Sequence, residues 1–130
     1  MHTIGRFAPS PSGRMHLGNV LCALLAWLSA RRQNGRYLLR IEDLDAMRCP
    51  RRYADLILDD LRWLGLDWDG EVPYQSERAA VYETYEAVLR GKGLLYPCFC
   101  ARAALHAASA PHLSDGRVVY AGTCRGLTAE

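Results

Sequence analysis

The sequence predicts an α/β fold with a parallel sheet, followed by a small metal-binding segment. Three observations lead there. Two short apolar runs, Thr3 to Ala8 and Arg36 to Ile41, flank a long amphipathic stretch, Leu17 to Ala30. Strand, helix, strand at that length is a right-handed crossover unit, so the two strands should be parallel. A loop rich in proline and serine separates the first strand from the helix, where α/β domains place phosphate and nucleotide sites. Three of the five cysteines, Cys98, Cys100 and Cys124, fall late in the chain. An odd count clustered in this way fits metal or free thiols better than a secreted disulfide framework.

Composition narrows the class. Half of the 130 residues are hydrophobic, enough for a real core and too many for a disordered chain. The net charge of +2 is too small to announce a nucleic-acid partner by itself. No run approaches a membrane span, and the first residues do not read as a signal peptide, so a cytoplasmic protein is expected. No internal repeat or low-complexity segment is present.

Taken in order, the first strand must stop near Ala8, because Pro9 and Pro11 deny it a ladder. The helix opens at His16, with Gly18 in its first turn, where a ligand can approach the backbone and free N–H groups favour anions. Leu17, Val20, Leu21, Leu24, Leu25 and Leu28 recur at helical spacing and should pack on the sheet, with Cys22 a small core residue. Arg31, Arg32 and Gln33 suit the last turn, and Asn34-Gly35 ends it. Glu42-Asp43-Leu44-Asp45 then lies at the carboxyl end of the second strand, the edge where α/β sheets bind ligands. Three carboxylates there can bind an amine, bind a metal or cap the next helix.

Pro50 opens that helix, Tyr53, Ile57, Leu61 and Leu64 form its apolar face, and Gly65 closes it. Arg48, Arg51 and Arg52 crowd its start, which points to phosphate or to Asp43 and Asp45 as partners. After the turn at Leu66 to Gly70, Ser76 is the expected N-cap of a further helix. Its apolar positions include Ala80, Val81, Tyr85, Val88 and Leu89, and Gly91 and Gly93 end it.

Leu94 to Cys100 reads as a short strand, on which Cys98 and Cys100 point the same way and can reach one ion. With Cys124 they offer three thiolates to an ion that prefers four ligands. The fourth is Tyr120, His106, His112 or water; phenolate is a rare ligand, so chemistry alone selects a histidine. Ala101 to Ala108 should be a short helix, and Ser109 to Arg117 a loop. The chain divides at about residue 94, giving a nucleotide-type domain over 1–93 and a metal-bearing insertion over 94–130.

Pro9-Ser10-Pro11-Ser12-Gly13 followed by His16-Leu17-Gly18-Asn19 resembles the signature of class I aminoacyl-tRNA synthetases, in the form used by the glutamyl and glutaminyl group. Arg40-Ile41-Glu42-Asp43-Leu44-Asp45 resembles the group's second block, and Asp67-Trp68-Asp69 and Tyr74-Gln75-Ser76-Glu77-Arg78 resemble its structural landmarks. Similarity is greatest to the glutamyl-queuosine branch. It runs over essentially all 130 residues, which cover less than half of a complete member.

The resemblance implies a Rossmann-like catalytic sheet, only its amino-terminal part present, with a zinc-binding insertion that faces the tRNA acceptor stem. It implies ATP and magnesium as co-substrates for making glutamyl-adenylate, and transfer of glutamate to queuosine-bearing tRNA(Asp). It places glutamate on Arg6, Ala8, Ser10 and Glu42, with Glu42 at the amino group. It places ATP on Pro9, His16, Gly18 and Asn19, His16 and Asn19 being the catalytic pair. It points to Tyr120, not a histidine, as the fourth zinc ligand beside Cys98, Cys100 and Cys124. Asn19 departs from the histidine that usually ends the tetrapeptide, a position the branch varies.

Three readings compete: the glutamyl-queuosine enzyme, the amino-terminal part of a glutamyl-tRNA synthetase, and a non-catalytic zinc-bearing module that binds RNA or protein. Pro11-Ser12-Gly13 and the spacing to Tyr120 and Cys124 favour the first. Members of the family also carry a downstream lysine-rich loop. Here the only lysine is Lys92, so the chain alone is expected to be inactive. With two strands evident, an unpaired sheet edge and apolar face suggest self-association.

Overall fold

Strands β1 (Ile4–Phe7) and β2 (Arg36–Leu39) pair in parallel, Ile4 opposite Arg36 and Phe7 opposite Leu39. Helix α1 (Leu17–Arg31) makes the crossover between them. The structure is a computed structural model that describes residues 3–101, 103, 117 and 119–127. Helix α2 (Arg51–Trp63), a single 3-10 turn (Gln75–Arg78) and helix α3 (Ala79–Gly91) follow. Residues group into two compact units, 1–82 and 83–130.

The register continues past the strand ends. Arg40 donates its N–H to the Phe7 carbonyl at 3.1 Å, and Glu42 to that of Pro9 at 2.9 Å. On its other side Ile41 forms a parallel bridge to Tyr74, so a third segment begins to pair where β2 stops. Phe7, Tyr37 and Leu39 enter one core with Ala23 and Ala30 of α1, Ile57 and Leu61 of α2, and Leu66. Ile41, Ala54 and Tyr74 form a smaller cluster.

The leucine stripe of α1 does not pack on the sheet. Leu17 is 83% exposed and Leu25 57%, with Leu21, Leu24 and Leu28 also exposed. The face that meets the strands is Ala23, Ala26, Trp27 and Ala30. The reason is close approach at Gly5. A Cβ there would stand 2.8 Å from the Ala26 carbonyl oxygen and 3.1 Å from the Ala30 Cβ, leaving no layer for leucine. Cys22, expected in the core, is exposed on the same outer face.

Pro50 is the N-cap of α2, and Gly65 closes the helix with φ near +72°. Its buried face is Ala54, Ile57 and Leu61; Tyr53 is half-buried and Leu64 exposed. The landmark Asp67-Trp68-Asp69 braces the sheet. The Asp69 carboxylate accepts the Tyr37 amide at 2.6 Å and Arg31 Nη1 at 2.6 Å, and its own amide donates to the Tyr37 carbonyl. The Tyr37 amide, then Arg31, hold the Asp69 carboxyl below its ordinary range. Asp67 accepts the Trp27 indole N–H at 2.7 Å.

Ser76 is not an N-cap. Its amide and hydroxyl both donate to Asp43, at 3.0 and 2.6 Å, and Tyr74 precedes the 3-10 turn instead. The arginines also differ from expectation: Arg48 pairs with Asp45, but Arg51 pairs with Glu77 and lies over the Tyr74 ring. Residues 94–100 form no strand. The expected helix over 101–108 and loop over 109–117, with His106 and His112, lie almost wholly outside the described residues. None of the described residues of α3 is buried. No described helix is long and apolar enough to cross a membrane.

Candidate functional site

β1 delivers the chain into a loop whose two prolines, Pro9 and Pro11, are buried. The loop folds back on itself through Ser12 N–H to the Ser10 carbonyl at 2.9 Å. It encloses a cavity of about 180 Å³, lined by Pro9, Ser10, Ser12, Gly13, Arg14, Met15, His16, Asn19 and Ile57. Arg14, at its rim, is held by Asp60 of α2 at 2.9 Å.

The start of α1 forms one wall. His16 is the N-cap: its Nδ1 accepts the Gly18 amide at 3.1 Å, and its own amide donates to the Asn19 side-chain oxygen at 3.2 Å. Two of the free donors of the first turn are thereby satisfied. Gly18 suits this ring position, since a Cβ there would stand 3.0 Å from the imidazole and the ring would have to shift. With Nδ1 an acceptor, the neutral ring carries its proton on Nε2, a donor the helix cap does not use.

The sheet's carboxyl edge lies next to this loop in the chain. Phe7 points into the core, so Arg6, its neighbour in β1, faces the other way and is exposed. Continuing the register, Ala8 and Ser10 run alongside Arg40 and Glu42. Glu42 forms an ion pair with Arg40, Oε1 to Nη2, with about a third of each side chain exposed. Asp43 faces the 3-10 turn. Burial pushes its carboxyl up, but the Ser76 hydroxyl and amide outweigh that, and the net shift is down. Of the three acidic residues, then, Asp43 braces a turn and Asp45 binds Arg48, which leaves Glu42 facing the strand-end surface. The Arg40–Glu42 pair and the Arg14–Asp60 brace were not anticipated. The first was available from two-residue spacing on an extended chain; the second spans 46 positions with no local signal.

Within the second unit, the sulfurs of Cys98, Cys100 and Cys124 lie within 4.8 Å of one another. Cys100 and Cys124 are the close pair, at 3.5 Å. The Tyr120 hydroxyl stands 3.6 Å from the Cys98 sulfur and accepts the Cys124 amide at 3.1 Å. A backbone hydrogen bond from Phe99, then Cys100, lowers the Cys124 thiol to about 7, while Cys124 in turn pushes Cys100 up to about 11. Zinc with sulfur ligands at about 2.3 Å needs sulfurs about 3.7 Å apart, so the three thiols fit it.

A parallel crossover unit with a proline-bounded loop feeding a helix start is the working edge of an α/β nucleotide-binding domain. The family is defined more narrowly by comparison. The chain belongs to the class I tRNA synthetases (E and Q), catalytic domain, whose family model matches residues 3–130. It is 54% identical over 136 aligned residues to the glutamyl-Q tRNA(Asp) synthetase of Symbiobacterium thermophilum, covering 97% of this chain and 42% of that protein. It is 49% identical to glutamate--tRNA ligase 2 of Alkalilimnicola ehrlichii, covering 96% of this chain and 28% of that one. The crystal structure of a glutamate tRNA ligase from Elizabethkingia meningosepticum, in complex with its amino acid, superposes with a TM-score of 0.71 at 33% identity, covering 81% of this chain and 22% of the other. The chain thus spans about two-fifths, 42%, of the length of the first of these relatives.

Proposed function

We propose that the chain carries a glutamate- and ATP-binding portion of an aminoacyl-tRNA synthetase-type ligase, and that the acceptor is queuosine-bearing tRNA(Asp). One observation supports this above others: the β1–β2 register, continued past the strand ends, sets Ser10 opposite Glu42 and Ala8 opposite Arg40, with Arg6 opposite Leu38 on the same sheet face, at the carboxyl edge that feeds the His16 helix start. In this reading Arg6 takes a substrate carboxylate by a two-pronged bond and Glu42 takes the ammonium. Ala8 and Ser10 floor the pocket between them. Pro9, His16, Gly18 and Asn19 border the nucleotide.

A carboxylate oxygen of glutamate attacks the α-phosphorus of ATP. The new bond is the mixed acyl-phosphate anhydride of glutamyl-adenylate; the bond broken, from the α-phosphorus to the bridging oxygen, releases pyrophosphate, with magnesium accompanying the triphosphate. The His16 Nε2–H and the amides at the start of α1 are donors for phosphate oxygens as charge moves onto them. Residues 1–93 form this nucleotide portion. Residues 94–130 form the insertion in which Cys98, Cys100, Tyr120 and Cys124 would hold one structural zinc, which would tie the end of the insertion to its start.

Glutamate-dependent exchange of pyrophosphate into ATP by the full-length protein tests the activity; no exchange would leave only a binding module. Glu42→Gln should weaken glutamate by about 1.5–3 kcal/mol, the range for a hydrogen bond to a charged group. Unchanged calorimetric affinity would remove Glu42 from the site. The acceptor is decided by comparing glutamylation of queuosine-bearing tRNA(Asp) with that of unmodified tRNA(Glu). Similarity to glutamate--tRNA ligases keeps the latter as the second reading.

A further inference from the structure

We infer that Arg40 is a positioning residue for Glu42, holding one carboxylate oxygen so that the other is presented to the substrate's ammonium group. The inference rests on the glutamate site proposed above and deepens it. Arg40 and Glu42 stand two apart on the extended chain beyond β2, so their side chains leave the same face. Both backbones are fixed by hydrogen bonds their N–H groups donate to β1 and the residues after it, at 3.1 Å to the Phe7 carbonyl and 2.9 Å to that of Pro9. Among the described residues, Arg40 Nη2 meets Glu42 at Oε1, and no partner is seen on Oε2.

The guanidinium is partly seated in the fold: Arg40 Nε is sealed from solvent with no acceptor among the described residues, and 29% of the side chain is exposed. A partly exposed glutamate without such a support loses side-chain freedom when it captures a ligand, and affinity falls accordingly. Arg40 also repels an incoming ammonium. Charge count on this face offsets that. Arg6 and Arg40 supply two positive groups and Glu42 one negative, the inverse of glutamate's two carboxylates and one ammonium.

The test is calorimetric titration of the full-length protein with a non-hydrolysable glutamyl-adenylate analogue. Arg40→Gln should weaken binding about tenfold, and Arg40→Lys should recover part of the loss. In a Glu42→Gln background, Arg40→Gln should change affinity less than about twofold, because the residue it positions is gone. The thermal midpoint should stay unchanged. An equal loss in both backgrounds, or no loss in the parent, overturns the role of Arg40 while leaving the glutamate site standing. Failure of the unaltered protein to bind the analogue overturns the site and this inference together.

Discussion

His16 and Asn19 cap the same helix from opposite ends of its first turn: Asn19 Oδ1 accepts the His16 amide at 3.2 Å, while His16 Nδ1 accepts the Gly18 amide at 3.1 Å. The family resemblance makes Asn19 a departure from a histidine. In the fold its carbonyl secures the residue that carries the free Nε2–H. Asn19→Ala should cost about 1 kcal/mol in chemical denaturation, the usual value of a cap. In the parent, ¹⁵N spectra of the His16 ring should show Nδ1 unprotonated and Nε2 protonated in the neutral form. The reverse tautomer would show that Nδ1 does not cap the helix.

Tyr37 sets an alkaline limit. It is fully buried beneath α1, and its hydroxyl donates to the Ala23 carbonyl at 3.3 Å. Burial raises its pKa from 10.0 to about 12. The neutral phenol is favoured by the fold, so its contribution is complete below pH 10 and is lost as pH rises through about 12. Tyr37→Phe loses the hydrogen bond, about 0.5–1.5 kcal/mol at neutral pH, yet has no proton to lose. Its stability should therefore fall less steeply than the parent's over that interval. Parallel alkaline slopes in urea titrations would assign the limb to another group.

The thiol group makes a separable prediction. Metal analysis should return about one zinc per chain, as a four-ligand site implies. Chelation should increase amide exchange at residues 96–101 and 119–124 and leave residues 3–82 unaffected, since the liganding atoms all lie in the second unit. Tyr120→Phe removes the hydroxyl that stands by Cys98 and should weaken zinc about tenfold or more, within the range for loss of an outer or weak ligand. Full affinity in that variant would move the fourth position to a histidine or water. A folded, metal-free protein with every thiol titratable would end the zinc reading.

The parallel crossover was legible because two periods differ, the short runs Thr3 to Ala8 and Arg36 to Ile41 on either side of a helical repeat, and because one handedness of connection dominates. Which face of α1 is buried was not legible. Hydrophobicity picks leucine, but Gly5 lets the helix down onto β1 until only alanine fits, a property of two segments together. The role of Ser76 was not legible for a similar reason. Its hydroxyl is the right chemistry for a cap, but Asp43, distant by 33 positions, takes both its donors. Residues 94–100 form a short apolar run that reads as a strand yet find no partner strand among the described residues. The thiols of Cys98 and Cys100 still converge with Cys124, so the grouping survives although the strand does not.

The final prediction concerns what these 130 residues do alone. Charge building on departing pyrophosphate must be met by cations, and the resemblance assigns that work to a lysine-rich loop. The only lysine here, Lys92, lies just past α3 with its amide bonded to the carbonyls of Val88 and Leu89, in the second compact unit. Arg6 and Arg40 are at the proposed glutamate end. Pyrophosphate exchange by this chain should therefore run at least about a hundredfold below that of a full-length relative, the scale of losing one preorganised charge-stabilising group. The exposed leucines of α1 should make the chain self-associate with rising concentration. Replacing Leu21 and Leu25 together by glutamate should reduce that association, read by sedimentation, without lowering the thermal midpoint, because neither side chain enters the core. Robust glutamate-dependent exchange by the 130 residues would show that the cations already present suffice. A large drop in the midpoint of the double variant would show that the leucines are buried in solution.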